Sequence, residues 1–156
     1  MEIKHFTLYE FCASTTAMRL KIDNGLPEDL EPFAWATLEM LERIRAHLST
    51  KAGKDVSVVI SSGYRCPKLN KAVGGSANSD HLLACAADIK APAFGTPLAV
   101  ARELSGHVDD LGIGQLINEF PGASGWVHVS TRKPAKTLNR VITITAQGAI
   151  VGVREA

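Results

Sequence analysis

The segment SDHLLACAADI, residues 79–89, constrains the fold of this chain more than any other stretch. Its small and apolar residues should pack in a core, yet it carries His81 and, seven residues later, Asp88. An imidazole or a carboxylate inside a core needs a polar partner. The fold must therefore bury this segment and either let the two side chains satisfy each other or let them hold something between them.

Length and composition predict a single domain over residues 1–156, because 46% of the residues are hydrophobic and can form a core. The 17 basic and 16 acidic side chains leave a net charge of +1, too little to gather nucleic acid or anionic lipid. The sequence shows neither a signal peptide nor an apolar stretch of membrane-spanning length. We expect a monomer, made in the cytoplasm, with no nucleic-acid or membrane partner.

The cysteines indicate a protein folded in a reducing compartment. Cys12, Cys66 and Cys85 are odd in number, widely spaced and without a C-x-x-C pair. This pattern argues against a disulfide framework and against an all-thiolate zinc site. Cys66 and Cys85 are interpreted as small packing residues.

The clearest secondary-structure prediction is an amphipathic helix from Glu28 to about Leu48, where apolar residues recur every three or four positions. A shorter helix is predicted over residues 7–22, starting at a capping box formed by Thr7 and Glu10. Two further helices are predicted over residues 67–73 and 96–108.

Strands are predicted over residues 55–64, 85–91, 114–120 and 126–132, with a final hairpin over 140–145 and 149–153. In WVHVS, the alternation directs Trp126, His128 and Ser130 to one side and the two valines to the other. Helices that precede and flank these strands predict an α+β fold with a mostly antiparallel central sheet.

His81, Asp88 and His128 form a set that is chemically sufficient for a catalytic zinc ion, which takes about three protein ligands and leaves a position for water. The set alone is not specific. A buried histidine is more often a hydrogen-bonded core residue, and a His–Asp pair is more often a structural contact. The residue types therefore leave both interpretations open.

Three sequence blocks in a fixed order add specificity: SGYR at 62–65, S-x-H followed by A-x-D at 79–88, and W-x-H-x-S at 126–130. Together they resemble the zinc D-Ala-D-Ala carboxypeptidase family, which includes phage L-Ala-D-Glu endolysins and the VanX and VanY peptidases. The resemblance implies a hedgehog/D-Ala-D-Ala-peptidase-like fold. It also implies one zinc ion per chain, with His81, Asp88 and His128 as its ligands.

The resemblance further implies roles for residues near the metal. Arg65 matches an arginine that binds the substrate carboxylate or stabilises an oxyanion, although it could also be a surface salt-bridge residue. Ser79 would bind substrate or orient its loop, or serve only as a turn residue. Tyr64 and Trp126 are expected at the substrate, with Trp126 stacking on it or forming the wall of the cleft.

The general base is where the chain departs from the family pattern. Many members carry an acidic residue three positions before the last histidine, and that position is Gly125 here. Glu119 is the nearest upstream carboxylate, and residues 121–125 read as a turn that would fold it beside the ligand strand. We therefore predict Glu119 as the base, with Asp80 and His107 as weaker alternatives.

A second departure is Ala84, which stands where the family usually has glycine. If this position requires a positive φ or a close backbone approach, alanine carries a modest energetic cost. Because alanine is small, we do not expect the site to be lost.

The resemblance implies a zinc metallopeptidase that hydrolyses the stem peptides of bacterial peptidoglycan. Glu119 would move a proton from the attacking water to the leaving amine, and Arg65 would hold the oxyanion or a terminal carboxylate. Both D-Ala-D-Ala carboxypeptidase and L-Ala-D-Glu endopeptidase activity fit the pattern. A chain without a signal peptide or a wall-binding domain fits a phage lytic enzyme that is released through a membrane lesion or carried in a virion.

Two other classes of function stay open at this point. Gly125 motivates a non-catalytic zinc domain that only binds peptidoglycan or a protein, as the hedgehog signalling domain does on a related fold. A structural domain without metal is the third possibility. Replacing Glu119 separates the first two, because only an enzyme would lose turnover, and metal analysis tests the third.

Overall fold

The computed structural model describes residues 2–120, 122 and 124–155. Its helices are α1 (Leu8–Cys12), α2 (Thr15–Leu20), α3 (Glu31–Ala52), α4 (Pro67–Ala72) and α5 (Pro97–Ser105). Its strands are β1 (Val59–Ser62), β2 (Ala86–Lys90), β3 (Gln115–Glu119), β4 (Trp126–Ser130), β5 (Val141–Thr145) and β6 (Gly148–Val151). Short 3-10 helices occur at Glu28–Leu30, Asp80–Leu83 and Thr137–Asn139. Pro121 and Ala123, in the predicted turn over residues 121–125, lie outside the described residues.

Within the described residues the strands form one six-stranded sheet in the order β1-β2-β4-β3-β5-β6. Over the same part of the chain, β3 and β5 run parallel and every other neighbouring pair is antiparallel. The predicted α+β class with a mostly antiparallel sheet is therefore confirmed. No helix in the described part of the chain is both long and apolar enough to cross a membrane.

One face of the sheet is covered by α3 and α5. The core on this face combines strand residues with apolar residues of both helices, namely Ile89, Leu116, Val127, Val129, Leu38, Leu41, Ile44, Leu48, Val100 and Leu104. Because successive strand residues point to opposite faces, the residues between these, including Asp88 and His128, face the other way. The helices thus leave the second face of the sheet for polar side chains.

The helix predicted over residues 7–22 is in fact two helices. Its capping box is present at Thr7 and Glu10, but the helix stops at Ala13, whose backbone is extended with a ψ of 136°. Ser14 then caps α2, because its hydroxyl accepts the N–H of Ala17 at 3.2 Å. A serine side chain that bonds to the backbone in this way competes with a continuous helix.

The strand predicted over residues 55–64 is shorter than expected. Its first half is tied to the end of α3, where the N–H of Val56 donates to the hydroxyl of Ser49 at 3.0 Å. This donor is therefore not available for a sheet ladder. Pairing with β2 begins at Val59.

The three cysteines are free thiols. Cys66 caps α4, with its Sγ accepting the N–H of Leu69 at 3.4 Å. Cys85 is buried, and burial raises the pKa of its thiol. The predicted absence of a disulfide framework agrees with these contacts.

Glu42 of α3 is a buried carboxylate that holds the N-terminal segment. Its Oε1 accepts the N–H of Lys4 at 2.7 Å and of His5 at 2.6 Å, and its Oε2 lies 2.8 Å from Nδ1 of His5. Burial raises the pKa of Glu42, but the hydrogen bonds from His5 and Lys4 outweigh it and bring the pKa below its usual value. The ionised form is therefore favoured in the folded chain.

We expect Glu42→Gln to lower the free energy of unfolding by about 2 kcal/mol at pH 7, because the amide keeps only one acceptor oxygen and lacks the charge that strengthens these hydrogen bonds. The pKa of the Glu42 carboxyl is lower in the folded chain than in the unfolded chain, where it is about 4.3. Its carboxylate therefore stabilises the fold above this pH, and the contribution disappears as the pH falls through the folded pKa. Urea unfolding should therefore show a smaller difference between wild type and variant at pH 3 than at pH 7. Glu28→Gln, at an exposed carboxylate, is the control. A difference for Glu42→Gln that does not change with pH would contradict this account.

Candidate active site

The register of the sheet places the predicted site residues of three strands on one face. Asp88 of β2 pairs with His128 of β4, and His128 also pairs with Ile117 of β3. Two residues further along, Glu119 pairs with Trp126. Because residues directly opposite each other in antiparallel strands share a face, all of these side chains lie on the face that α3 and α5 leave uncovered.

His81 reaches this face through the 3-10 helix that precedes β2. The helix ends at Ala84, which adopts a left-handed conformation with a φ of 55° and a ψ of 21°. This positive φ explains why the family usually has glycine there, and it gives alanine the modest cost expected from the sequence. At the start of the helix, the hydroxyl of Ser79 accepts the N–H of His81 at 3.3 Å.

His81, Asp88 and His128 bring three donor atoms together. Nε2 of His81 lies 3.2 Å and Nδ1 of His128 lies 2.9 Å from the same Oδ1 of Asp88. The other ring nitrogen of His81 donates to the carbonyl oxygen of Gly63 at 2.6 Å, which leaves Nε2 as the ligand atom. Two imidazole nitrogens and a carboxylate oxygen, oriented by outer hydrogen bonds, fit a divalent metal such as zinc.

The electrostatics of this cluster also fit a cation. Burial raises the pKa of Asp88, but hydrogen bonds with His128 and His81 outweigh it and hold the pKa well below its usual range. Burial lowers the pKa of His81 and favours the neutral imidazole, which is the form that binds metal. Burial also acts to lower the pKa of His128, but a hydrogen bond with Asp88 and nearby carboxylates raise it above its usual value. Those carboxylates are Asp88, Glu119 and Asp80.

Arg65 is held beside the cluster by two hydrogen bonds. Its Nη2 donates to Oδ2 of Asp88 at 2.8 Å, and its Nε donates to the hydroxyl of Ser62 at 2.8 Å. Its side chain is only 14% exposed, so this is not a surface salt bridge. Arg65 also lines the cleft, and its two hydrogen bonds to other described residues use Nε and Nη2, which leaves Nη1 for a ligand. The guanidinium can therefore orient a ligand carboxylate and still donate to a substrate.

Glu119 lies at the end of β3, next to this cluster. Burial raises the pKa of its carboxyl above the usual value and the charge of Asp88 adds to this, while His128 and Arg65 act in the opposite direction. A carboxylate that binds a proton more readily than an exposed glutamate suits a general base working near neutral pH.

Gly125 has no room for a side chain in this fold. A Cβ there would lie 2.2 Å from the carbonyl oxygen of Phe120 and 2.7 Å from that of Glu119. Phe120 has a left-handed φ of 48°, so the backbone turns sharply directly after Glu119. The acidic residue of the family pattern therefore cannot stand at this position without a change of backbone.

The cluster lies in an open cleft of about 1110 Å³, and three of the predicted substrate contacts, Arg65, Ser79 and Trp126, line it. Trp126 is half-buried against Phe120, with their ring centroids 5.6 Å apart, as expected for a cleft wall. Ser79 also lines the cleft, although the hydrogen bond described above shows that it serves as a turn residue as well.

Tyr64, which the sequence predicts as a substrate contact, does not line the cleft. Its side chain belongs to the hydrophobic core and is 4% exposed. Its N–H donates to the carbonyl oxygen of Phe11 at 2.9 Å, and its own carbonyl accepts from Asn24 at 3.0 Å. These contacts turn the residue inward, away from the cleft.

Asp80 and His107, the alternative bases, have other partners. Asp80 accepts hydrogen bonds from the hydroxyl of Ser130 at 2.7 Å and from Arg132, which tie the turn before β2 to the end of β4. His107 follows α5 on the helix-covered side of the sheet and does not line the cleft. Glu119, which lies in the cleft next to the cluster, is therefore the better candidate for the general base.

Sequence reasoning did not assign the roles of Ser62 and Gly63, although both stand in the SGYR block. The serine hydroxyl holds Arg65, and the glycine carbonyl orients the ring of His81. A Cβ on Gly63 would lie 2.1 Å from the carbonyl oxygen of Phe11. The SGYR block marks both residues as candidates for the site. Their roles could not be read from it, because their partners include residues from distant parts of the chain.

Comparison with known protein families agrees with this geometry. A model of the peptidase M15 family matches residues 4–130, well over half of the chain. The match contains the candidate metal-binding cluster, Arg65 and Glu119, whereas β5 and β6 lie beyond it. No curated protein matches the chain. From the extent of the family match, the chain belongs to the M15 family of peptidases.

Proposed function

We propose that this protein is a zinc-dependent peptidase that cuts the stem peptides of bacterial peptidoglycan. Membership of the M15 family supports peptidase chemistry, and the buried cluster of His81, Asp88 and His128 supplies a suitable set of ligands. A zinc ion in this set would supply a Lewis acid for polarising the scissile carbonyl and for making water nucleophilic.

Two side chains of the cleft carry the remaining chemistry. Glu119 takes a proton from the attacking water and delivers it to the leaving amine, a task that its raised pKa suits. Arg65 donates from Nη1 to the oxygen on which negative charge develops. Ser62 and Asp88 hold the guanidinium in place, so little reorganisation is needed during the reaction.

The direction of the cleft across the sheet favours cleavage of the L-Ala-D-Glu bond over removal of a terminal D-Ala. It runs from Ile60 of β1 to Ile144 of β5, and the ligands of β2 and β4 lie between these strands. A peptide can therefore extend on both sides of the scissile bond, as an L-Ala-D-Glu endopeptidase requires. A D-Ala-D-Ala carboxypeptidase would instead need a closed end behind the leaving residue. Under this proposal the protein acts at the cell wall, after phage-mediated release or as part of a virion.

The test is mass spectrometry of muropeptides with defined stems, incubated with zinc-loaded protein. We expect release of the stem from its L-Ala end, and no product with His128→Ala, which lacks one of the ligands. Loss of a single terminal alanine would assign carboxypeptidase activity instead. Unchanged masses together with retained muropeptide binding would show a non-catalytic binding module.

A further inference from the structure

A second group of metal-ligating side chains lies on the helix-covered side of the sheet. His47 belongs to α3, Glu103 to the last turn of α5, and His107 follows that helix. Each offers one ligand atom, and these atoms lie within 4.8 Å of one another. None of these three described residues lines the cleft. The sheet therefore separates this group from the candidate active site.

The three side chains lie close together without forming a closed set of hydrogen bonds. Nε2 of His47 lies 2.9 Å from Oε1 of Glu103, whereas Nε2 of His107 lies 3.8 Å from the same oxygen. The second distance is too long for a hydrogen bond. A tetrahedral zinc ion with bonds of roughly 2.0 Å keeps its ligand atoms about 3.3 Å apart, a value between the two. The two imidazole rings approach each other, with centroids 4.4 Å apart.

Two further charges lie beside the three side chains. Oδ2 of Asp110 lies 3.9 Å from Nδ1 of His107, so a carboxylate faces the ring nitrogen that is not turned to Glu103. At 3.9 Å Asp110 makes no hydrogen bond with His107, but its charge attracts the N–H on this side of the ring, as outer carboxylates do at metal-binding histidines. Nζ of Lys51 lies 3.3 Å from Oε2 of Glu103 and leaves Oε1 for the histidines. The side chains of His47, Glu103 and His107 are 22%, 15% and 42% exposed, so an ion can reach the group from solvent.

We propose that His47, Glu103 and His107 form a second divalent-metal site, with zinc as the best-fitting ion, that joins α3 to α5. Glu103 and His107 stand four residues apart and share one side of their segment. His47 lies 56 residues before Glu103, so the ion would link two distant parts of the chain. Because α5 packs behind β3 and β4, this link would support the strands that carry Glu119 and His128.

The test measures how many zinc ions the full chain binds. After metal removal, zinc is titrated against a chromophoric chelator. Wild type should take up two equivalents, and His107→Gln and His128→Ala should each take up one. His5→Gln is the matched control, because His5 also pairs with a glutamate, Glu42, but belongs to none of the metal-ligating groups among the described residues. It should keep both equivalents.

Each outcome decides the proposal. A single equivalent in wild type that His128→Ala abolishes would overturn the second site and leave the candidate active site intact. Two equivalents in His107→Gln would overturn it as well. A single equivalent that only His107→Gln abolishes would support the second site and count against the active-site cluster. Zinc should also raise the melting temperature of His128→Ala, but not of the variant that combines His128→Ala with His107→Gln.

Discussion

Glu119→Gln should lower turnover of peptidoglycan stem peptides by about three orders of magnitude, the loss expected when a general base is removed. Glutamine keeps the shape of the side chain beside Trp126 but cannot accept a proton from water. Glu119 is not one of the metal-ligating residues, so zinc uptake at the cluster should stay unchanged. The measurement compares product formation, followed by mass spectrometry, with zinc content for wild type and variant.

Asp80→Asn is the matched control, because it also removes one carboxylate from the wall of the same cleft. Asp80 is occupied by Ser130 and Arg132, so we expect a much smaller loss of turnover. A large loss in Asp80→Asn with near-normal turnover in Glu119→Gln would move the role of the base to Asp80. Zinc binding without turnover in any form of the protein would favour the non-catalytic module.

Gly63→Ala should lower the free energy of unfolding by about 3 kcal/mol, the upper part of the range for overpacking in a core. The new Cβ would meet the carbonyl oxygen of Phe11 at 2.1 Å and its ring at 2.6 Å. Phe11 is fully buried and its carbonyl already accepts the N–H of Tyr64, so neither atom can move aside easily. The strain would also displace the carbonyl that orients His81 and weaken zinc binding.

Gly106→Ala is the control for this substitution. Gly106 has a helical φ of −79°, and a Cβ there would meet nothing within 4 Å. An alanine in such a position should leave stability unchanged or raise it by about 0.5 kcal/mol. Urea unfolding and zinc competition measure both variants. Equal stability of Gly63→Ala and wild type would contradict the close approach of Phe11.

The parts of the fold that depend on local pattern could be predicted from the sequence. Alternation in WVHVS correctly separates the buried valines of β4 from His128 and Trp126 on the opposite face. The apolar spacing after Glu28 identifies α3, although this helix continues to Ala52. Local patterns succeed here because the same residues that set the backbone conformation also face the core.

The features that the sequence did not reveal depend on contacts between distant segments. Tyr64 is turned inward by Phe11 and Asn24, neither of which is close to it in the chain. The shape of the backbone around Gly125 excludes a side chain because the carbonyl of Phe120 approaches it, which no spacing rule predicts. The cluster around Glu103 likewise needs the packing of α3 against α5 to bring His47 to it.

The C-terminal hairpin of β5 and β6 determines which part of the sheet can open first. Without it, β3 would be the border of the sheet, and border strands lose their hydrogen bonds most readily. The residues of β6 are exposed along their whole length, so fraying should begin there. The strand that carries Glu119 lies two places further in. The hairpin thus protects the site: β6 can unfold locally and briefly while β3 stays paired, so Glu119 keeps its position beside the other site residues.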